Sequence, residues 1–146
     1  MDALSIRGMD PRDVETIAAL NGELGYPSTV GQVDERLSAL AHSASDALFV
    51  AEDGGRVVGW VHVALKLSLV EVPSAQVMGL VVGEGQRGGG IGRQLLRRAE
   101  AWAAERGVRR MLVASRTTRE RAHRFYEREG YVVLKRSYFF EKQLAD

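Results

Sequence analysis

The residues of this chain best suited to chemistry lie in a glycine-rich loop, within the sequence LVVGEGQRGGGIGRQLL at residues 80–96. Glycine stands at positions 83, 85, 88, 89, 90 and 92. The loop joins an apolar run typical of a strand to a run with the spacing of a helix. Glycines let backbone N–H groups come close to a ligand, and a helix N-terminus carries about half a positive charge. The segment therefore predicts a site for phosphate groups.

Two known phosphate-binding patterns fit this loop poorly. Residues Gly83–Gly88 spell GxGxxG, the fingerprint of dinucleotide-binding folds. That fold uses an acidic residue at the end of the next strand to bind the ribose, whereas the next strand here ends in Val113-Ala114-Ser115. The Walker loop needs Gly-Lys followed by Ser or Thr, and the chain has no such sequence. A nucleotide-binding protein that uses Gly83–Gly88 is therefore only a rival hypothesis.

A second frame of the same loop resembles a known family. The sequence RGGGIG at Arg87–Gly92 resembles the Q/R-x-x-G-x-G/A loop of the GNAT superfamily of N-acetyltransferases, where backbone amides hold the pyrophosphate of coenzyme A. Downstream, AHRFYEREGY at Ala122–Tyr131 resembles the family's second hallmark, a helix with the pattern A-x-x-F-Y-E-x-x-G-F/Y. The resemblance extends over nearly the whole chain and implies a single GNAT-like N-acetyltransferase domain over residues 1–146.

The resemblance implies acetyl-CoA as the cosubstrate, with the loop around its pyrophosphate and the preceding strand along its pantetheine. The implied cofactor-binding residues are Leu80, Val81, Val82, Arg87, Gly88, Gly89, Gly90, Ile91, Gly92, Arg93 and Arg119. Arg93 is equally consistent with a helix-surface residue. Arg119 stands where many family members have an asparagine that contacts the cofactor. It either meets a phosphate of the nucleotide end or is solvated.

Acetyl transfer from a thioester to an amine needs a base for the amine, a donor for the oxyanion and an acid for the departing thiolate. The resemblance places Tyr126 in the role of the acid, and a phenol with a pKa near 10 keeps its proton at neutral pH. It assigns the oxyanion to a backbone N–H of the strand 78–82, at Leu80. The base stays open between Glu71, just before this strand, and His62 on the strand before it.

The acceptor is expected to enter beside the loop Gly25–Ser28, which covers the acceptor in the family. Candidate substrate-binding residues are Glu23, which would attract a cationic amine, Tyr26 and His62. Tyr26 either lines the pocket or is an ordinary surface residue. Because the chain has no cysteine, a cysteinyl acetyl-enzyme is impossible, which favours direct transfer in a ternary complex. The acceptor is a primary amine of a small molecule or of a protein.

The elements that must position these residues follow the order βααββ-βαβαββ, an α/β fold with a mixed central sheet and about four flanking helices. Strands are predicted at Ala3–Arg7, Ala47–Glu52, Arg56–Leu67, Ser74–Val82, Met111–Ala114, Tyr131–Leu134 and Ser137–Leu144. Helices are predicted between Asp10 and Gly25, after Thr29, over 93–106 and over 119–129. Residues 76–114 then form a parallel βαβ unit.

Composition narrows the classes of partner. Residues 1–73 hold five Lys or Arg and eleven Asp or Glu, whereas residues 74–146 hold fifteen and eight. This asymmetry suits a cationic substrate next to a polyanionic cofactor. The basic residues match no nucleic-acid-binding motif, and three scattered histidines without cysteine predict no metal site.

The chain shows neither a signal peptide nor an apolar stretch long enough to span a membrane, so we expect a cytoplasmic protein with no membrane partner. The apolar residues Tyr138–Phe140 in the last predicted strand could form a homodimer edge or part of the core. The functional alternative to an enzyme is a non-catalytic sensor that binds acyl-CoA.

Overall fold

The computed structural model describes residues 4–86 and 88–145, and the chain divides into two compact units after Ala114. The strands of the first unit are β1 (Leu4–Gly8), β2 (Asp46–Asp53), β3 (Arg56–Lys66), β4 (Ser74–Val82) and β5 (Met111–Val113). Its helices are α1 (Val14–Glu23), α2 (Val30–Ala41) and α3 (Ile91–Glu105), and the second unit contains α4 (Glu120–Arg128). The predicted α/β class and the order of elements through α4 are confirmed.

The five strands form one mixed sheet in the order β1-β2-β3-β4-β5. Strands β1 to β4 pair antiparallel, and β5 pairs parallel to β4. The connection from β4 to β5 passes through α3, because parallel neighbours cannot be joined by a tight turn. The parallel βαβ unit expected at 76–114 is therefore present.

Helices cover both faces of this sheet. Val50 and Trp60 pack with α1 and α2, in a cluster that includes Val14, Ile17 and Leu37. Their sequence neighbours point the other way, as expected for a strand. The guanidinium of Arg98 from α3 lies over the Phe49 ring, 4.4 Å from its centroid. A Cβ on Gly59 would lie 3.1 Å from Leu95, which is also on α3. The sheet thus has an α1/α2 face and an α3 face.

Local signals in the sequence fix the helix starts. Asp10 begins a one-turn 3₁₀ helix (Pro11–Asp13) before α1, and Thr29 begins α2. The Thr29 hydroxyl accepts the Gln32 N–H at 3.0 Å and the Gln32 side chain accepts the Thr29 N–H at 3.0 Å, and the two bonds together form a capping box. Helix α3 starts at Ile91, two residues before the predicted start, because Gly90 itself serves as its N-cap.

The second unit (Ser115–Asp146) contains α4, and residues 131–145 after it form neither helix nor strand. Strands predicted at Tyr131–Leu134 and Ser137–Leu144 are not formed, since residues 131–145 belong to no sheet ladder. Tyr138, Phe139 and Phe140 are exposed rather than part of a core. Alternating apolar residues give this segment strand propensity, but a strand also needs a partner for its backbone N–H and C=O groups. Propensity alone therefore gave a wrong prediction here.

Candidate active site

The glycine-rich loop lies between the carboxyl end of β4 and the first turn of α3. A single 3₁₀ turn (Glu84–Gln86) follows β4, and Gly88 and Gly90 adopt positive φ angles of 88° and 78°. L-residues rarely adopt these angles, so the loop needs glycine at both positions. Arg87, the first residue of the family-like motif, lies outside the described residues.

This loop fits an anionic group. A Cβ at Gly88 or Gly90 would meet no atom within 4 Å, so the space beside both backbones is open. No side chain among the described residues caps α3, so the first-turn N–H groups at Ile91 and Gly92 keep their capacity to donate. Helix α3 is 15 residues long, and its dipole adds positive potential at this end. Gly90 and Arg93 also line an open groove with Arg97 and Arg98.

Strand β4 is irregular in the segment that was predicted to contact the cofactor. Val63 pairs with Val77 but His62 pairs with Gly79, so Met78 is an extra residue in a β-bulge. On its other edge β4 pairs with β5 only over Ala75–Val77. The β5-facing edge of residues 78–82 therefore has no strand partner in the described part of this unit. Backbone groups there, including those of Leu80 and Val82, can pair with an extended ligand.

Glu23, predicted to attract the acceptor, contacts the start of the glycine-rich loop. Its carboxylate accepts the backbone N–H of Glu84 at 3.4 Å. Tyr26 follows in the loop between α1 and α2, with its side chain exposed and its backbone N–H bonded to the carbonyl of Asn21 at 2.8 Å. The structure thus brings Glu23 to the expected phosphate loop.

Glu71 is separated from these residues along the sheet. It precedes β4, and its carboxylate lies 3.7 Å from Arg110, which precedes β5. The two residues therefore mark the amino ends of the parallel pair, whereas the glycine-rich loop follows the carboxyl end of β4. Glu71 is thus paired with a cation, and its role as base stays a prediction.

His62 lies on the α1/α2 face and is bound by a carboxylate. Its Nε2 lies 2.6 Å from Oδ1 of Asp46, and the Ser43 hydroxyl donates to Oδ2 of Asp46 at 2.6 Å. Burial alone would raise the pKa of Asp46, but the hydrogen bonds from Ser43 and His62, with the charge of His62, hold that pKa below its usual value. Asp46 is therefore the anionic partner of the imidazole.

Asp46 was not among the residues predicted from the sequence, because a bulge in the β2–β3 pair changes which residues share a face with His62. The hairpin turn between β2 and β3 pairs Asp53 with Arg56. If that register continued along both strands, His62 would lie opposite Ala47. A register shift between Ala51 and Glu52 instead places His62 opposite Leu48. A shift of one residue exchanges the two faces of a strand, so it brings Asp46 onto the face of His62. No signal in the sequence marks this bulge.

Trp60 was also not singled out. Its indole N–H donates to the Asn21 side chain at 3.0 Å, and a Cβ on Gly79 would lie 2.7 Å from its ring. Only glycine at position 79 accommodates the ring at this distance. Trp60, His62 and Gly79 therefore form one surface next to the Met78 bulge.

The second unit carries the remaining predicted residues. Tyr126 lies on α4, half-buried, with its ring centroid 5.1 Å from that of Phe125 and 5.8 Å from that of Tyr131. Arg119 is the N-cap residue of α4. His123, one turn before Tyr126, has Nε2 2.7 Å from the carbonyl of Arg116. These aromatic contacts fix the Tyr126 ring against its own helix and the residues that follow.

None of the helices in the described ranges is long and apolar enough to cross a membrane.

Comparison with known proteins identifies the family. Residues 15–131 match the model of the Acetyltransferase (GNAT) family. Aminoglycoside N(6')-acetyltransferase type 1 of Stenotrophomonas maltophilia is 26% identical over 97% of this chain and 95% of that protein.

Two solved structures share the fold. An aminoglycoside N-acetyltransferase in complex with CoA superposes with a TM-score of 0.89 at 18% identity, over 99% of this chain and 97% of that one. A transcriptional regulator from Bacillus halodurans gives a TM-score of 0.85 at 24% identity, over 96% of this chain and all of that one. Together with the family match over most of the sequence, these findings show that the chain belongs to the GNAT family of acetyl-CoA-dependent N-acetyltransferases.

Proposed function

We propose that this protein transfers the acetyl group of acetyl-CoA directly to a primary amine of a small cationic acceptor of the aminoglycoside class. The observation that carries the proposal is the edge of β4 after the Met78 bulge, which has no strand partner in the described part of its unit and leads into a glycine-rich loop at a helix start that no described side chain caps. The relative from Stenotrophomonas maltophilia supports the acceptor class, since its name specifies an aminoglycoside. The excess of acidic residues in the first half of the chain suits a cationic acceptor.

The proposed cofactor contacts lie along the glycine-rich loop and β4. Backbone N–H groups from Gly88 to Gly92, with the positive end of α3, hold the pyrophosphate. Arg93 adds positive charge beside it, and Arg87 and Arg119 complete the proposed basic contacts. Along β4 the Val82 backbone pairs with pantetheine, while the N–H of Leu80 donates to the carbonyl oxygen that becomes negative during transfer. Acetyl-CoA itself supplies the activated acetyl thioester.

The acid of the proposed reaction is Tyr126. A neutral phenol donates a proton to a thiolate of comparable basicity, so the sulfur leaves as a thiol. The aromatic contacts with Phe125 and Tyr131 support this role because they restrict the ring. Glu23 and Tyr26 are the proposed acceptor contacts from the end of α1 and the loop that follows.

Substitution of Tyr126 by phenylalanine tests the acid. We expect Tyr126→Phe to lower kcat by roughly 10²–10⁴-fold and to leave the affinity for acetyl-CoA unchanged, because only the proton donor is removed. The measurement is steady-state thiol release with acetyl-CoA and the aminoglycoside neamine as acceptor. Calorimetric titration measures the affinity for acetyl-CoA.

Tyr138→Phe is the matched control, since Tyr138 belongs to the same unit and is 91% exposed. It is expected to retain the wild-type kcat. If the Tyr126→Phe variant kept the kcat of the wild type, Tyr126 would not be the acid of the reaction.

A further inference from the structure

His62 occupies a position that its hydrogen bonds alone do not explain. It pairs across the ladder with Gly79, the residue directly after the Met78 bulge, and so lies beside the β4 segment proposed to bind the thioester. Its side chain is 16% exposed, so a ligand can reach it. A hydrogen bond that only joins β2 to β3 would not require a titratable ring at this place.

The hydrogen bond to Asp46 determines which ring nitrogen of His62 can accept a proton. Because Asp46 is held anionic, Nε2 of His62 carries the hydrogen and donates to Oδ1 at 2.6 Å. The remaining nitrogen, Nδ1, then has a free lone pair. It has no hydrogen-bond partner among the residues that the structure describes. The imidazole is therefore fixed in the tautomer of a proton acceptor.

We propose that His62 is the base that takes the proton of the acceptor amine, and that Asp46 and Ser43 are the residues that position it. The inference rests on the proposed acetyl transfer and names a base for it. Trp60 marks the same place on β4, since its indole ring lies against Gly79, where a Cβ would lie 2.7 Å from the ring. Glu71 is less suited, because it is paired with Arg110 at the opposite end of β4.

The proposed transfer conserves protons and bonds. The bound ammonium group gives one proton to Nδ1 of His62, which releases it to solvent. The neutral amine then forms the C–N bond to the acetyl carbon as the C–S bond breaks, and the electron pair of that bond leaves with sulfur. The nitrogen loses its second proton to solvent, and sulfur gains one from Tyr126, which is reprotonated from solvent. One proton is released for each acetyl group transferred.

Few charged groups among the described residues of the first unit face His62. Its ladder neighbours, Leu48 on β2 and Gly79 on β4, are uncharged. Asp46 is the charged partner of its ring, and Lys66 ends β3 on the same face two positions beyond Ala64. A change in the pH profile after substitution at position 62 therefore reports mainly on this histidine and its carboxylate.

The test compares His62→Gln with the wild type, using the aminoglycoside neamine and acetyl-CoA between about pH 5.5 and about pH 9. Glutamine keeps an N–H donor for Asp46 but accepts no proton at these pH values. We expect a 10²–10³-fold lower kcat/KM for neamine and loss of the acidic limb of the pH profile, with unchanged affinity for acetyl-CoA. Asp46→Asn is expected to give a smaller loss of kcat/KM, again with unchanged affinity for acetyl-CoA, because the imidazole loses the carboxylate that fixes its tautomer.

His42→Gln is the control, since His42 is an exposed histidine at the end of α2 and is expected to leave kcat/KM unchanged. Thermal unfolding of each variant separates catalysis from folding. A His62→Gln protein that keeps the acidic limb, or that loses activity only in proportion to its unfolded fraction, would overturn the proposal. Wild-type turnover tests the acetyl transfer itself, whereas the ratio of variant to wild type tests His62, so the two can fail separately.

Discussion

Asp13 is the most deeply buried carboxylate of the described core, with a side chain only 3% exposed. Arg7 donates to both of its oxygens at 2.8 and 2.9 Å, and the Asp10 N–H donates to Oδ2 at 2.9 Å. Burial raises the pKa of Asp13, but the hydrogen bonds and charge of Arg7 outweigh it and hold this pKa below its usual value. The pair joins β1 to the start of α1.

We expect Asp13→Asn to lower the free energy of unfolding by roughly 3 kcal/mol at pH 7, because Arg7 loses its bidentate partner. The folded-state pKa of Asp13 lies below the unfolded value, so its stabilisation is complete above that value and is lost as the pH falls through the folded pKa. The difference between wild type and variant should therefore shrink below about pH 4. Urea unfolding across pH 3–7 measures it.

Asp34→Asn on the exposed side of α2 is the control and should change little. A difference between wild type and Asp13→Asn that is the same at every pH would contradict this account of the ion pair.

Sequence reasoning found functional side chains that belong to motifs and missed those defined by strand register. Tyr126 was found because its helix pattern is local. Asp46 was missed because a bulge in β2 decides which residues share the face of His62, and bulges leave no reliable mark in a single sequence. Trp60 was missed because its contact with Gly79 depends on three-dimensional packing.

At the scale of elements, helix α3 begins and ends at glycines with nearly the same backbone angle. Gly90 has φ 78° and Gly107 has φ 77°, and a Cβ at either position would meet no atom within 4 Å. Gly90→Val and Gly107→Val should therefore each cost about 1–2 kcal/mol of backbone strain. The two variants differ in whether the position faces the proposed pyrophosphate.

We expect acetyl-CoA at 100 times its Kd to stabilise the wild type by about 2.7 kcal/mol, which raises Tm by about 5–11 °C. Gly107→Val should show the same shift from its lower starting Tm. Gly90→Val should show none, because the side chain blocks the approach of the phosphates to the backbone. An equal shift in both variants would place the phosphates elsewhere, and a shift with NAD but not with acetyl-CoA would favour the dinucleotide frame Gly83–Gly88.

Elements with strong local signals were predicted closely. Thr29 and Gln32 form the capping box that starts α2, and the alternation and turn residues around β2, β3 and β4 gave their bounds to within one or two residues. Closing strands at Tyr131–Leu134 and Ser137–Leu144 were wrong, because strand propensity does not tell whether a partner strand is available. Whether a segment tends to form a helix or a strand can thus be predicted from the local sequence, whereas the partner of a strand cannot.

The whole molecule combines an acidic first half with a basic second half. Positive potential where the pyrophosphate is proposed to bind comes from the glycine-rich loop, from Arg93 and from the start of α3, which no described side chain caps. Acidic residues such as Glu23 and Asp46 come from the first half. This distribution suits an enzyme that brings a polyanionic cosubstrate and a cationic amine together.

The central claim is direct acetyl transfer to an amine, and mass spectrometry of both the acceptor and the protein tests it. The full chain is incubated with neamine and acetyl-CoA that is isotopically labelled in the acetyl group, with a control lacking protein. We predict that neamine gains one labelled acetyl group only when the protein is present, and that the mass of the protein is unchanged. Neamine that stays unmodified while acetyl-CoA binds would contradict the account and indicate an acyl-CoA sensor.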